Sequence, residues 1–450
     1  MPSQFSEFIS RYAEVAQRNN SIDPAEYQRY DAKRGLRNED GTGVLVGLTE
    51  IGDVHGYLID ERERVPDEGR LLYRGYNVKD LVQGFQDDRR FGFEEVAYLL
   101  VFGGLPTKEQ LSEFRSLLGK LRTLPDRFVE DSILRFPSHD IMNKLARSVL
   151  VAYSFDDNPD DLSIPNVVRQ TLELIARFPL MAAHGYQAKN HYYDGQSLFI
   201  HAPDPELSTA ENLLQMIRAD QQYTALEAET LDLALVLHAE HGGGNNSAFT
   251  VHVVSSAGTD TYSAIAAAIG SLKGSKHGGA ALRVHGMLED LKANVSDWSD
   301  EEEVSAYLRR LLKREAYDGS GLIYGMGHAV YTLSDPRAVV LREKAAELAS
   351  DKGFQKEYRL LKLVERVTPN VVSMVKGRQM TIAPNVDFYS GFVYRMLNIP
   401  TELYTPVFAI ARIAGWSAHR LEELISGGRI IRPAYKSIAS RRRYVPLVDR

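Results

Sequence analysis

The chain has 450 residues, of which 44% are hydrophobic and 25% charged, a composition typical of water-soluble proteins and a length that favours two domains. Its formal net charge of −7 argues against a general nucleic-acid-binding protein and against binding to anionic membranes. Because there is no cysteine, disulfides, thiolate catalysis and cysteine-bound metals are excluded.

The sequence shows no targeting or membrane-spanning pattern. Residues 1–20 are polar and of mixed charge, unlike a secretory signal. The longest apolar runs, Leu231–Leu237 and Ala264–Ile269, are much shorter than the roughly 20 residues of a membrane helix. We therefore expect a cytoplasmic protein with neither a membrane nor a nucleic-acid partner.

Strand-like patterns are confined to the N-terminal part. Val44–Thr49 and Gly56–Ile59 are short runs rich in β-forming residues, separated by Gly52 and Asp53. The sequence predicts that these two runs form a small hairpin.

Helical patterns dominate the rest of the chain. Thr107–Gln110 and Ser208–Glu211 have the spacing of capping boxes, and the acidic stretch after Ser299 opens another helix. The acidic segment 156–161 is interpreted as a solvated loop. Neither βαβ alternation nor a repeat is found, so the sequence predicts an all-α protein.

Two histidine clusters precede or occupy glycine-rich turns. His238 and His241 end an apolar helix before the glycine run 242–244, and they lie roughly on one face. A zinc site would need further ligands and lacks the His-Glu-x-x-His spacing, while capping of a glycine-terminated helix is the plain alternative. His277 lies in Gly274–Gly279, whose spacing is not that of a phosphate-binding loop. The interpretation that is left is a histidine in a turn that can hydrogen-bond a ligand.

Two later motifs add a carboxylate and arginines. Gly325-Met326-Gly327-His328 is followed by Asp335-Pro336-Arg337, and Pro384–Gly391 places Asp387 in an apolar, aromatic setting. Arg412 lies in an apolar run and Arg432 near the C-terminus, where each needs an anionic partner. An internal salt bridge would suffice for any one of them. Together, three histidines, three arginines and one aspartate suit a small polycarboxylate undergoing proton transfer.

At these residues the sequence resembles the citrate synthase family. The resemblance is close in Leu237–Ala280, Tyr324–Arg337 and Pro384–Arg432, and weaker in Leu71–Asp80 and Phe93–Thr107. The order and spacing of the motifs carry it, rather than any one motif.

The resemblance implies a two-domain, all-α helical fold and a homodimer. Its large domain would combine residues 1–277 with 388–450, and its small domain would be 278–387. Closure of the small domain would assemble the site and exclude water.

The resemblance also implies a reaction and roles for residues. Acetyl-CoA and oxaloacetate would condense to citrate in the tricarboxylic acid cycle, with acyl-CoA as a co-substrate and no permanently bound cofactor. The catalytic residues would be Asp387 as the base, His277 as a donor to the thioester oxygen and His328 as a donor to the keto oxygen. The residues binding oxaloacetate would be His241, Arg337, Arg412 and, from the neighbouring subunit, Arg432.

For CoA the family pattern is matched only in part. The backbone that meets the adenine would be that of Leu322, Ile323, Gly325, Met326 and Gly327. Gly242 stands where the family often has Glu, Ala281 where Asn is common, and Thr332 where a basic residue often meets the CoA phosphates. The phosphate contact is then expected from Lys376 or Arg378. No metal site is expected.

Three other functions are compatible with some of these residues. A 2-methylcitrate synthase, using propionyl-CoA, would share every catalytic residue, because one methylene in an apolar pocket changes binding by only about 1–3 kcal/mol. A paralogue that binds CoA without turnover would have no need of an intact Asp387, His277 and His328. A histidine-bound metalloenzyme would contain stoichiometric metal.

Overall fold

The computed structural model describes residues 4–38, 40–60, 63–426 and 428–450. It contains two compact units, one formed by Leu48–Ile431 and the other by Met1–Gly47 with Arg432–Arg450. The predicted domain boundaries at 277/278 and 387/388 fall inside the larger unit, and that division stays a prediction.

Helices dominate the fold, which confirms the all-α prediction. Within the described ranges the strands are β1 Gly52–Asp60, β2 Glu63–Tyr73 and β3 Tyr76–Asn77. The α-helices in the same ranges are α1 Gln4–Asn19, α2 Pro24–Arg29, α3 Val78–Asp87, α4 Phe93–Phe102, α5 Lys108–Leu121, α6 Ile141–Ala152, α7 Ile164–Asp194, α8 Thr209–Ile217, α9 Ala225–His238, α10 Asn246–Ser255, α11 Thr261–Lys273, α12 Ala280–Asn294, α13 Glu301–Leu312, α14 Pro336–Lys352, α15 Gln355–Lys376, α16 Val386–Met396 and α17 Tyr404–Ile425. None of these helices is long and apolar enough to span a membrane.

The hairpin predicted between Val44–Thr49 and Gly56–Ile59 is wrong, although Gly56–Ile59 does lie in a strand of another hairpin. β1 pairs antiparallel with β2, and Val44–Thr49 forms no strand. Leu45 and Leu48 are 84% and 89% exposed, so this run has no neighbouring face against which to bury its apolar side chains. β2 lies very close to the segment before α14. A Cβ on Gly69 would lie only 2.0 Å from the carbonyl oxygen of Ser334.

The predicted capping boxes are confirmed by reciprocal hydrogen bonds. At α5 the Gln110 amide donates to Thr107 Oγ1 at 3.2 Å, and the Thr107 amide donates to Gln110 Oε1 at 2.8 Å. The same pair of bonds joins Ser208 and Glu211 at α8. Local sequence therefore determines where these helices begin.

The acidic segment 156–161 is not simply a solvated loop. The Asp156 side chain is only 3% exposed, and its carboxylate accepts hydrogen bonds from Arg169 and from the Tyr262 hydroxyl. Its partners lie on α7 and α11, so this aspartate ties two helices to the loop.

α17 forms the centre of the larger unit and contacts α4, α7, α9, α10 and α11. Almost every side chain from Tyr404 to Leu421 is buried, including Trp416. Burial of this apolar surface is the main force that fixes the helix in place. α9, α14 and α16 also contact one another. The C-terminus of α9 meets the middle of α17 where Arg412 donates to the His238 carbonyl, and the N-termini of α14 and α16 meet where the Val386 amide donates to Asp335.

Candidate active site

The His328 loop is bonded to the segment that begins α16. The Gly327 amide donates to the Ala383 carbonyl at 2.8 Å, and the Asn385 amide donates to the Gly325 carbonyl at 2.9 Å. Gly325 has φ +80°, and a Cβ there would lie 2.9 Å from Cα of Phe388. Glycine is therefore required for this approach, which brings His328 and Asp387 into one site.

Asp335 holds two other parts of the site. Its carboxylate accepts from Arg337 Nε at 3.0 Å and Nη2 at 2.8 Å, and also from the Val386 amide at 3.1 Å. The side chain is 1% exposed. One buried carboxylate thus orients Arg337 and fixes the N-terminus of α16, one residue before Asp387.

Asp387 has the electrostatics of a general base. Burial raises the pKa of its carboxyl to about 6, although the positive charges of Arg337 and Arg412 act to lower it. A carboxylate with this pKa is ionised at neutral pH and is a stronger proton acceptor than an exposed aspartate.

Arg412 presents two unused hydrogen-bond donors to the site. Its Nε donates to the His238 carbonyl at 2.7 Å, whereas Nη1 and Nη2 are buried and have no partner among the described residues. Burial lowers the pKa of this guanidinium to about 10, so it stays charged at neutral pH. Two parallel donors on a buried cation match a carboxylate.

Three aromatic rings, those of His241, His328 and Tyr331, lie close together in the site that contains Arg337 and Arg412. The His241 ring lies 5.2 Å from the His328 ring and 5.6 Å from the Tyr331 ring, measured between centroids. His241 Nε2 is buried and without a partner among the described residues, and burial together with the charge of Arg337 lowers its pKa well below the usual value. His241 is therefore a neutral imidazole.

The tautomer of His328 follows from its backbone contacts. Nδ1 accepts from the Val330 amide at 3.0 Å and from the Tyr331 amide at 3.2 Å. A nitrogen that accepts two N–H groups carries no proton, so the proton of the neutral ring resides on Nε2. His328 is thus set to donate a hydrogen bond through Nε2.

His277 is connected to the core through Ser247. His277 Nε2 lies 3.1 Å from Ser247 Oγ, which also accepts a hydrogen bond from Trp416 Nε1 at 3.0 Å. Burial and the charge of Arg412 lower the pKa of His277 to about 4, so this ring is also neutral at pH 7. The glycine-rich turn predicted around His277 is present.

Most of the predicted site residues share one electrostatic environment. The pKa of His241 responds to Arg337, His328, Arg412 and His277, and that of Asp387 responds to the same two arginines. The remaining predicted residue for oxaloacetate, Arg432, belongs to the other compact unit and is exposed in the single chain. Its role stays a prediction.

The residues predicted to bind CoA fall in two separate segments of the chain. The residues Leu322, Ile323, Gly325, Met326 and Gly327 form the loop beside α16, with Leu322 exposed and Ile323 buried. Lys376 and Arg378 are exposed at and beyond the C-terminus of α15. No contact within the chain tests their roles.

Sequence reasoning gave no role to three residues that build the site. Asp335 had a usable signal, since Asp before Pro predicts a helix N-cap, and it does cap α14. Ser247 and Trp416 had none, because they are 169 positions apart.

Comparisons with known proteins match most of this chain. A family model described as citrate synthase, C-terminal domain, matches residues 40–434. A citrate synthase of Haloferax volcanii is 35% identical over 410 residues, covering 90% of this chain and 94% of the relative. A 2-methylcitrate synthase of Shewanella oneidensis is 31% identical over 388 residues, covering 84% of this chain and 92% of the relative. A ternary complex of carboxymethyl coenzyme A and oxaloacetate with citrate synthase from Thermoplasma acidophilum superimposes with a TM-score of 0.75 at 25% identity, covering 93% of this chain and 99% of that one.

Proposed function

The chain belongs to the citrate synthase family, and we propose that it is an acyltransferase that condenses acetyl-CoA with oxaloacetate and water to give citrate and CoA. The observation that carries this proposal is the buried guanidinium of Arg412, with two unpaired donors, in the same electrostatic environment as an aspartate of pKa about 6. Such a site combines a receptor for a carboxylate with a base for a weakly acidic C–H group.

In the proposed first step Asp387 takes a proton from the methyl group of acetyl-CoA. The electron pair moves toward the thioester oxygen, where His277 donates a hydrogen bond. This requires the tautomer with a proton on Nδ1, and the Ser247 hydroxyl, which donates to Asn245 Oδ1 at 2.9 Å in the free protein, has to turn its proton toward Nε2. Stabilising the enol as it forms is the main task, since a carboxylate is a weak base for this proton.

In the next steps the enol carbon forms a bond to the keto carbon of oxaloacetate. His328 Nε2–H polarises the keto oxygen and transfers its proton to it, which gives the hydroxyl of the product, and the proton held by Asp387 balances the one that His328 gives. Water then adds to the thioester carbonyl, the C–S bond breaks, and CoA leaves as its thiol with a proton. The neutral state of His328 suits this role, because Nε2–H can donate to the keto oxygen without the ring first taking up a second proton.

Oxaloacetate would be held by its two carboxylates. Arg412 offers both terminal nitrogens, and Arg337 is already oriented by Asp335 through Nε and Nη2. His241 adds a further buried ring nitrogen without a partner among the described residues. We propose that Lys376 or Arg378 contacts the CoA phosphates, and that the product enters the tricarboxylic acid cycle in the cytoplasm.

The relatives named 2-methylcitrate synthase support a second candidate function, in which propionyl-CoA replaces acetyl-CoA. The measurement that distinguishes the two is kcat/KM for both acyl-CoAs, with oxaloacetate as the acceptor. A preference of at least tenfold for acetyl-CoA is expected. A preference for propionyl-CoA would favour the second function, and absence of turnover with either would contradict both.

We also propose a homodimer in which Arg432 completes the partner's site. Arg432→Ala and Asp387→Asn homodimers would both be nearly inactive. In a mixed dimer of the two variants, the chain with intact Asp387 receives Arg432 from its partner, so one of two sites is complete and about half the wild-type activity returns. A folded mixed dimer, isolated through two affinity tags, that recovers no activity would contradict the sharing of Arg432.

A further inference from the structure

A second cluster of histidines and carboxylates lies between α10 and α17, apart from the residues assigned to catalysis. His252 Nε2 lies 3.1 Å from His419 Nδ1, and the same His419 nitrogen lies 3.8 Å from Glu422 Oε2. These three atoms all lie within 4.8 Å of one another. Tetrahedral ligand atoms about 2.0–2.2 Å from a zinc ion are separated by about 3.3–3.6 Å, which is close to the two measured separations.

Each histidine of the cluster is held by a carboxylate at its other ring nitrogen. His252 Nδ1 lies 2.8 Å from Glu423 Oε2, and His419 Nε2 lies 3.0 Å from Glu240 Oε1. A carboxylate at one nitrogen holds the proton there and leaves a lone pair on the other. Two lone pairs therefore face each other across 3.1 Å, and either a proton or a metal ion must lie between them. Histidine ligands of metals commonly have such carboxylate partners.

The third potential ligand is a buried carboxylate oxygen that lies close to His419 without a short hydrogen bond to it. Glu422 Oε1 accepts from the Glu50 amide at 2.8 Å, and the carboxylate also interacts with the Thr49 hydroxyl. A proton between the two histidines leaves Oε2 at 3.8 Å from His419 Nδ1, which is too long for a good hydrogen bond to this oxygen. A cation bound by all three groups would satisfy it.

The local charge favours a cation. Three carboxylates contact the histidines of the cluster, those of Glu240, Glu422 and Glu423, and the positive charges of Arg74 and Arg412 act on them from nearby.

The glycine run after His241 leaves space beside the cluster. A Cβ on Gly243 would lie 3.4 Å from Cε1 of His419 and 3.6 Å from Nε2 of His252, at ordinary contact distance. Glycine thus leaves a gap about the size of a methyl group, next to the two ligand atoms, into which a water molecule fits as a fourth ligand.

We propose that His252 Nε2, His419 Nδ1 and Glu422 Oε2 bind one divalent ion of the zinc class, which fastens α10 to α17. No short sequence spacing signals this set, because the two histidines are 167 positions apart. The proposal concerns residues outside the catalytic assignments and does not depend on them.

The test uses the full-length protein after washing with a chelator. Titration with Co²⁺ is expected to reach one ion per chain, with the visible absorption of four-coordinate Co²⁺, and Zn²⁺ is expected to displace it and to raise the Tm. Glu422→Gln and His252→Gln are expected to weaken Co²⁺ binding at least tenfold. Glu423→Gln, which removes only the carboxylate behind His252, is expected to weaken it about 10- to 100-fold.

A matched pair of glycine variants tests the fourth position. Gly243→Ala fills the gap and is expected to shift the Co²⁺ spectrum or weaken binding, whereas Gly244→Ala has no atom within 4 Å of its new Cβ and is expected to bind like the wild type. Failure of the chelator-washed protein to bind Co²⁺ would mean that a proton bridges the histidines and would overturn the proposal. Binding that Glu422→Gln leaves unchanged would place the ion elsewhere and overturn it equally.

Discussion

Arg412 offers a sharp test of the site, because a substrate-binding role and a structural role predict opposite effects on stability. Arg412→Met keeps the length of the side chain and removes the guanidinium. The free protein would lose the hydrogen bond from Nε to the His238 carbonyl, which contributes about 1–3 kcal/mol. It would also lose two buried donors without partners, each of which costs about 1–3 kcal/mol. We therefore expect the free energy of unfolding to stay the same or to rise.

Oxaloacetate binding should respond in the opposite direction. Removing one member of a buried, hydrogen-bonded charge pair costs about 2–5 kcal/mol of binding free energy. This corresponds to a rise of about 30- to 5000-fold in the Kd of oxaloacetate. Calorimetric titration gives the Kd, and denaturant unfolding of the free protein gives the stability.

Arg337→Met is the matched comparison, because it leaves Asp335 buried at 1% exposure without its cation. Here we expect a loss of about 3–5 kcal/mol in the free energy of unfolding, in addition to weaker binding. The reasoning is refuted if Arg412→Met loses several kcal/mol of stability while its Kd for oxaloacetate is unchanged. Arg412 would then be a structural residue.

Three further predictions concern Asp387 and the loop beside it. Asp387→Asn should lower kcat at least about 100-fold, while calorimetry shows oxaloacetate binding within about threefold of the wild type, because the amide keeps the shape but cannot accept a proton; substantial residual kcat would contradict the assignment. Since burial raises the pKa of Asp387 to about 6, the base is protonated below that pH, and kcat/KM in a pH series should fall about tenfold per unit there; a constant value down to pH 4 would exclude this base. Gly325→Ala should lower the Tm and the activity more than Gly353→Ala, because φ is +80° and +78° respectively but only at Gly325 would the Cβ meet other atoms, 2.8 Å from Val284 Cγ2; equal losses would show that backbone strain alone decides.

The parts of the fold that the sequence predicted depend on local interactions. The capping boxes at Thr107 and Ser208 involve residues three positions apart, so their geometry is nearly determined once a helix begins. The hairpin was predicted with the wrong partner, because strand pairing depends on which run finds a buried face. Asp156 was misread for a related reason, since its partners Arg169 and Tyr262 lie 13 and 106 positions away.

The site shows the same division between local and distant contacts. Histidines beside glycines and an aspartate in an apolar setting are patterns of the sequence itself, and they predict His241, His277, His328 and Asp387. The contacts that orient them were not visible in the sequence: Ser247 lies 30 positions from His277, and Asp335 lies 51 positions from the Val386 amide that it accepts from. Such contacts arise only when the helix termini meet.

Arg420 is a second buried arginine on α17, and the sequence does not distinguish its structural role from the ligand-binding role of Arg412. It lies two turns after Arg412 on α17 and is equally buried, at 0% exposure. Its Nε donates to Thr261 Oγ1 at 3.1 Å, Nη1 to Ser255 Oγ at 3.0 Å and Nη2 to the Thr259 carbonyl at 2.8 Å. Within the described residues, all three nitrogens of Arg420 are therefore satisfied, whereas two of Arg412 are not.

A buried arginine whose donors all have partners stabilises the fold by linking neighbouring residues. A buried arginine with unpaired donors destabilises the free protein, and ligand binding offsets that cost. Arg420→Met should remove three hydrogen bonds, two of them to the buried Ser255 and Thr261 hydroxyls, at about 1–3 kcal/mol each, and lower the free energy of unfolding by at least about 3 kcal/mol. The Kd of oxaloacetate for the protein that remains folded should stay within about threefold of the wild-type value. If denaturant unfolding and calorimetry instead showed the same pattern for Arg420→Met as for Arg412→Met, hydrogen-bond satisfaction would not distinguish a structural arginine from a ligand-binding one on this helix.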